Sequence, residues 1–200
     1  MAISSVSSYP TAYTTSGTIK GTHYKNAIGK GADTSAASGN DYSSSSGSYA
    51  QIYYSFDFSD IPSDATIVSV ECQVKGHCES TSASNRRARC QLYVGTSAAK
   101  GSYTDFSSTS AKTLTLDTGT WTRSEVDDLR LRFEIGYYGG LINGATVTIT
   151  YEEKTSDTIL VKQSGAWVSF GTAYKKVNGA WVKQSDLTSV FDPNVNYVKG

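Results

Sequence analysis

Apolar and polar residues alternate along much of this chain, and each alternating stretch predicts a β-strand with one buried face. In 51–58, Ile52, Tyr54, Phe56 and Phe58 alternate with Gln51, Tyr53, Ser55 and Asp57. Val68, Val70, Cys72 and Val74 then alternate with Ser69, Glu71, Gln73 and Lys75. Ala88, Cys90, Leu92 and Val94 repeat the pattern, with Arg87, Arg89, Gln91 and Tyr93 on the other face. Leu114 and Leu116 suggest a further strand. Leu129, Leu131, Phe133, Ile135 and Tyr137 form the next apolar row, and Ala145, Val147, Ile149 and Tyr151 the last. Between them Thr122-Arg-Ser-Glu125 has the spacing of a capping box and predicts one helical turn. Short strands with a single apolar face, separated by polar turns, predict an all-β protein: an antiparallel β-sandwich of jelly-roll or immunoglobulin-like topology. Alternation leaves the choice between those topologies open.

The ends of the chain read differently. Residues 1–47 are rich in Ser, Thr and Gly with isolated hydrophobes, and 29–47 predicts a long surface loop. Near the other end Gly165-Ala166-Trp167-Val168 recurs as Gly179-Ala180-Trp181-Val182. Each copy follows a two-residue loop, Ser164-Gly165 or Asn178-Gly179, of the kind that closes a tight hairpin. Those loops set Lys162 opposite Trp167 and Lys176 opposite Trp181, so a lysine stem can lie on each indole. The expected organisation is a β-sandwich domain over 1–153 with a long polar N-terminal segment. A Trp-containing hairpin module and tail follow over 154–200.

Charge and composition exclude several function classes. Lys plus Arg equals Asp plus Glu at 18 each, so no basic excess attracts nucleic acid or an anionic membrane surface. No run approaches the roughly 18 apolar residues of a membrane span. The N-terminus has neither the basic start nor the apolar core of a signal peptide. The odd count of cysteines (Cys72, Cys78, Cys90) then predicts reduced thiols in a protein made in a cytosol.

Candidate chemistry is sparse. His23 and His77 are the only histidines, and no Gly-x-Ser-x-Gly elbow ties either to a nucleophile. Cys72, His77, Cys78 and Cys90 lack the paired close spacing of a zinc site, and Cys72 and Cys90 fall in apolar phase on their strands. Asp33, Asn40 and Asp41 could offer oxygen ligands to calcium, but without an EF-hand register they read as solvated turn residues. Asp127-Asp128 and Glu152-Glu153 are adjacent in sequence, so on strands they face opposite sides. No catalytic residue, metal ligand or cofactor is expected. The outer face carrying Arg87, Arg89, Gln91 and Tyr93 is expected to be solvated. Exposed tyrosines are the stronger binding signal: Tyr53, Tyr93 and Tyr138, with the loop aromatics Tyr42 and Tyr103, could stack on a sugar.

Two motifs carry a resemblance. Ser55-Phe-Asp-Phe-Ser-Asp-Ile-Pro-Ser-Asp-Ala-Thr-Ile-Val-Ser-Val70 resembles a strand–turn–strand of β-sandwich domains in structural proteins of tailed bacteriophages, and the rows 129–135 and 145–151 are similar to the closing strands of that domain. Tyr174-Lys-Lys-Val-Asn-Gly-Ala-Trp-Val-Lys183 is similar to a Lys-Val-Asn-Gly-x-Trp element at the ends of phage tail and other virion proteins. The resemblance implies a non-enzymatic virion structural protein, tail- or baseplate-associated or a head-surface decoration subunit. Its partners would be other virion proteins and further copies of itself. The expected assembly contacts are Trp167, Val168, Phe170, Trp181 and Val182, since buried aromatics dominate interface energy. The alternative is a carbohydrate-binding adhesin that recognises a host cell-surface glycan through the tyrosines.

Overall fold

The first and last strands of the N-terminal unit pair with each other, and three later pairs nest inside that one. The computed structural model describes residues 2–36, 39–43, 49–79 and 88–153, together with backbone strands at 160–163, 166–169, 174–177 and 180–183. In chain order the strands are β1 (Ala2–Ser8), β2 (Ala12–Ser16), β3 (Ile19–Lys20), β4 (Tyr42–Ser43), β5 (Ala50–Ser55) and β6 (Thr66–Cys78). They continue with β7 (Arg89–Val94), β8 (Ala98–Asp105), β9 (Lys112–Thr115), β10 (Leu129–Ile135) and β11 (Gly140–Glu153). A 3-10 turn covers His23–Ala27 and one short helix, α1, covers Arg123–Asp127. The helix opens on the expected capping box, with the Thr122 side chain accepting from the Glu125 N–H and the Glu125 carboxylate accepting from the Thr122 N–H.

β1 pairs with β11, β5 with β10, β6 with β9 and β7 with β8, all antiparallel. Such nesting is one long hairpin rolled up. It yields two sheets in the orders β1-β11-β6-β9 and β2-β5-β10-β7-β8. The fold is therefore the antiparallel β-sandwich that the alternation predicts, and the strand order is that of the jelly roll. The inward rows of both sheets meet in one core, including Ile52 and Tyr54 from β5, Cys72 and Val74 from β6, Leu131 and Phe133 from β10, and Val147 and Ile149 from β11. Cys72, Cys78 and Cys90 are free and buried. Cys72 on β6 and Cys90 on β7 belong to opposite sheets; burial pushes both thiols up, and Cys72 adds to the rise at Cys90.

Four features depart from the sequence pattern. The polar N-terminal segment is not loop alone: β1 and β2 lie at the edges of the two sheets. An edge strand needs little apolar surface, and in β1 only Val6 packs against the core. β8 forms although Ala98-Ala-Lys-Gly-Ser-Tyr-Thr-Asp105 shows no alternation, so Tyr103 is a strand residue rather than a loop aromatic. Tyr42 likewise belongs to a strand, the two-residue β4. Val68 breaks phase with Val70. A register shift between Thr150 and Tyr151 leaves it bulged out of the β6–β11 ladder, and it is 53 % exposed.

The chain divides into two compact units, Met1–Lys154 and Thr155–Gly200. The second contains β12 (Leu160–Gln163) paired with β13 (Ala166–Ser169), and β14 (Tyr174–Val177) paired with β15 (Ala180–Lys183). Both hairpins have the register that their loops dictate: Lys162 faces Trp167 and Lys176 faces Trp181. Of the expected assembly contacts, Phe170 lies outside the described residues, as do the side chains of Trp167, Val168, Trp181 and Val182.

Candidate functional site

The five candidate tyrosines separate into two groups with opposite surroundings. Tyr53, Tyr93 and Tyr103 lie on the outer face of the five-stranded sheet, where alternation also places Gln51, Arg89, Gln91, Arg132 and Glu134. That face is not solvated as expected. Tyr53 and Tyr93 are each only 6 % exposed and Glu134 is 2 % exposed.

The cause is a layer of side chains organised around one carboxylate. Glu134 sits directly across from Arg89 on β7 and from Gln51 on β5. It pairs with Arg89 through Oε2 and with Arg132 through Oε1 at 2.8 Å. Gln51 Nε2 and the Tyr103 hydroxyl also donate to Oε1, at 3.1 and 3.2 Å. The two guanidinium groups in turn stack on tyrosine rings. Arg89 lies over Tyr49 and Tyr103, 4.4 and 3.9 Å from the ring centroids, and Arg132 lies over Tyr93 at 4.1 Å. Tyr53 closes the row edge-on to Tyr93 and donates its hydroxyl proton to Gln51 Oε1 at 2.8 Å. Arg89 lies over the Tyr103 ring and Arg132 over the Tyr93 ring, while Tyr53 stands edge-on to Tyr93, so the three tyrosines are parts of a self-stacked layer.

Tyr42 and Tyr138 lie elsewhere, at one end of the sandwich. The turn 136–139 between β10 and β11 is closed by the Gly139 N–H donating to the Gly136 carbonyl at 3.1 Å, which puts Tyr137 and Tyr138 at its two corners. Their rings stand nearly perpendicular at 5.7 Å and are 48 % and 40 % exposed. Gly139 has φ +74°, and a Cβ there would lie 2.7 Å from the Tyr42 ring, so only glycine lets Tyr42 seat against the turn. The Tyr42 hydroxyl donates to Glu79 Oε1 at 3.1 Å. That acceptor and the burial of the ring hold the Tyr42 phenol above its usual range.

This end is clamped. Asp41 and Gly140 exchange both backbone hydrogen bonds at 3.0 Å, the Ser43 N–H donates to the Gly136 carbonyl, and the Glu79 N–H donates to the Gly139 carbonyl. Asp41 is fully buried rather than solvated. Its carboxylate accepts from the backbone N–H groups of His23 and Tyr24 and contacts His23 Nδ1 at 3.3 Å. It fixes the 3-10 turn to the segment that carries Tyr42. His77, on β6, contacts Asn40 through Nε2 at 3.0 Å.

Burial lowers the His77 pKa, and the neighbouring Gly39 backbone and Glu79 carboxylate offset this only in part. The folded state therefore binds fewer protons here than the unfolded state just below the ordinary value of 6.5. Stability contributed by neutral His77 is present above that pH and is lost as pH falls through the depressed folded value. Thermal melts between neutral and mildly acidic pH should show a falling Tm. His77→Gln should flatten that slope; an unchanged slope would assign it to other groups.

Three of the remaining acidic candidates have structural partners. Asp127 pairs with Arg123 at 2.5 Å, Asp128 with Arg130 at 2.9 Å, and Glu153 accepts from Ser4 Oγ at 3.0 Å. Among the described residues no cluster of three or more His, Cys, Asp or Glu is arranged to hold a metal. Tyr137 is a further residue that departs from the sequence pattern. Alternation from Leu129 puts it in the core row, yet Gly136 and Gly139-Gly140 on either side already mark a turn. No family model matches the chain, and neither does any curated protein or solved structure.

Proposed function

We propose that this chain is a non-enzymatic structural subunit of a tailed-bacteriophage particle, with residues 155–200 docking on a neighbouring virion protein. The observation that carries the proposal is the pair of hairpins in identical register, with Lys162 across from Trp167 and Lys176 across from Trp181. Each is a lone two-stranded sheet of four-residue strands. A hairpin of that size is marginal by itself in water, so a repeated, tryptophan-bearing pair is best suited to ordering against a partner surface. The jelly roll agrees with a particle-forming role by analogy of fold alone, because viral capsid domains share it. The phage resemblance of the 55–70 and 174–183 motifs supplies the kind of particle.

Immunogold labelling of intact particles, with antibody raised against residues 1–153, tests the proposal. Gold at a fixed position on the particle is the expected result; tail or head labelling distinguishes an attachment subunit from a decoration subunit. Particles without gold, whose denatured proteins also lack the chain on immunoblotting, would remove the virion assignment.

A further inference from the structure

We propose that the turn 136–139, together with Tyr42, is a binding tip for a neutral saccharide. The inference is independent of whether the chain belongs to a virion. It starts from the contrast between the two tyrosine groups. In the sheet-face layer, Arg89 and Arg132 cover the rings of Tyr49, Tyr93 and Tyr103. At the turn no cation covers Tyr137 or Tyr138 among the described residues, and both rings are open to solvent.

Shape and chemistry narrow the occupant. Two rings nearly at right angles, 5.7 Å apart, form a step one ring wide. The C–H face of a pyranose can lie on one wall while its edge meets the other. The polar groups beside the step suit hydroxyls: the Tyr42 hydroxyl, which donates to Glu79 Oε1, can still accept, Glu79 keeps a second carboxylate oxygen as acceptor, and the Asn40 amide nitrogen can donate. Among the described residues the acidic side chains at this end are Glu79, whose carboxylate accepts from Tyr42, and the buried Asp41. They disfavour an anionic sugar, so the class proposed is neutral. A protein partner fits less well. Two partly exposed tyrosines offer at most a few hundred Å² of contact, against about 800 Å² per partner in a stable protein interface. The backbone clamp through Asp41–Gly140, Ser43–Gly136 and Glu79–Gly139 keeps the step in place before any ligand arrives, which reduces the ordering cost of weak binding.

Saturation-transfer-difference NMR on the full chain tests this, using the methyl glycosides of glucose, galactose, mannose, rhamnose, N-acetylglucosamine and N-acetylgalactosamine. Each sugar would be present at about 10 mM, matched to the millimolar affinity expected of one small site. The expected result is transfer to at least one sugar, strongest at protons of one ring face. It should fall to background in the Tyr137→Ala/Tyr138→Ala double variant and persist in Tyr53→Phe, which alters only the sheet-face layer. Tyr138→Leu keeps an apolar turn but removes one wall, and should also lose most of the signal if the double variant proves unstable. Absence of transfer to all six sugars, or transfer that survives both turn variants, would overturn the proposal. Neither result bears on particle labelling, so the two functional proposals fail separately.

Discussion

Glu134→Ala should lower the Tm of the chain by roughly 6–12 °C. The carboxylate is 2 % exposed and is the shared partner of Arg89, Arg132, Gln51 and Tyr103. Removing it leaves two guanidinium groups stacked between tyrosine rings without a counter-charge. Breaking a buried ion pair from one side costs about 3–5 kcal/mol. Here the lower end applies, because the Arg89 and Arg132 side chains retain 28 % and 11 % exposure and water screens part of the loss. At about 2–4 °C per kcal/mol for a chain of this size, about 3 kcal/mol gives the stated range. Calorimetry of the two proteins at neutral pH checks it, and a fall of less than about 2 °C would mean that the arginines find solvent at little cost.

A double-mutant cycle separates the charge from the packing. Glu134→Leu alone should destabilise nearly as much as Glu134→Ala, since the cations stay unpaired. Combined with Arg132→Met it should recover part of the loss, because one of the two unpaired cations is removed while Arg89, the more exposed of the two, stays unpaired. Non-additivity of that sign identifies the layer as an electrostatic unit. It also bears on function. The outer face of the other sheet is an ordinary solvated one, where Ser5 and Ser7 form hydroxyl bonds to Thr150 and Thr148 at 3.1 and 2.8 Å. The five-stranded sheet instead uses its aromatic rings internally, stacked with Arg89 and Arg132.

The parts of the fold that were legible in the sequence are those where burial is one-sided. β5, β6, β7, β10 and β11 each carry an apolar row against the core, and period-two alternation reports that directly. Edge strands escaped because β1 and β2 have little to bury, and hydrogen bonding to β11 and β5 suffices to place them. Topology escaped because alternation describes faces, not partners; only pairing of β1 with β11 around the other pairs distinguishes a jelly roll. The site was half legible for a similar reason. Alternation placed Tyr53 and Tyr93 on the outer face correctly, but outward is not the same as exposed. Arg132, held by Glu134, lies over Tyr93, and Tyr53 packs edge-on against Tyr93, a spatial arrangement that period-two alternation does not report. Tyr137 shows the converse. It continues the phase of the β10 row, yet the strand ends at Ile135 because Gly136 and Gly139 favour a turn over further ladder.

Replacing both repeat tryptophans, Trp167→Ala with Trp181→Ala, should leave the sandwich folded and abolish incorporation into particles. Among the described residues the buried core draws on positions between Ala27 and Tyr151, all within the Met1–Lys154 unit, so calorimetry of the double variant should retain the main unfolding transition. The docking contact should weaken severely. An anchoring tryptophan at an interface is typically worth about 2–4 kcal/mol, which is roughly 30- to 1000-fold in affinity for each repeat that engages. If both hairpins dock, Trp181→Ala alone should give partial loss and the pair a far larger one, because the two contacts are linked through a short segment. If one hairpin docks, one single variant should reproduce the whole effect. Lys176→Ala, which changes only the residue across the strand from Trp181, should have a small effect, since a lysine stem adds little to an indole's burial. Immunoblots of purified particles against the same amount of intracellular protein measure each case. Full incorporation of the double variant, with the sandwich intact, would mean that the particle contact lies outside the repeat.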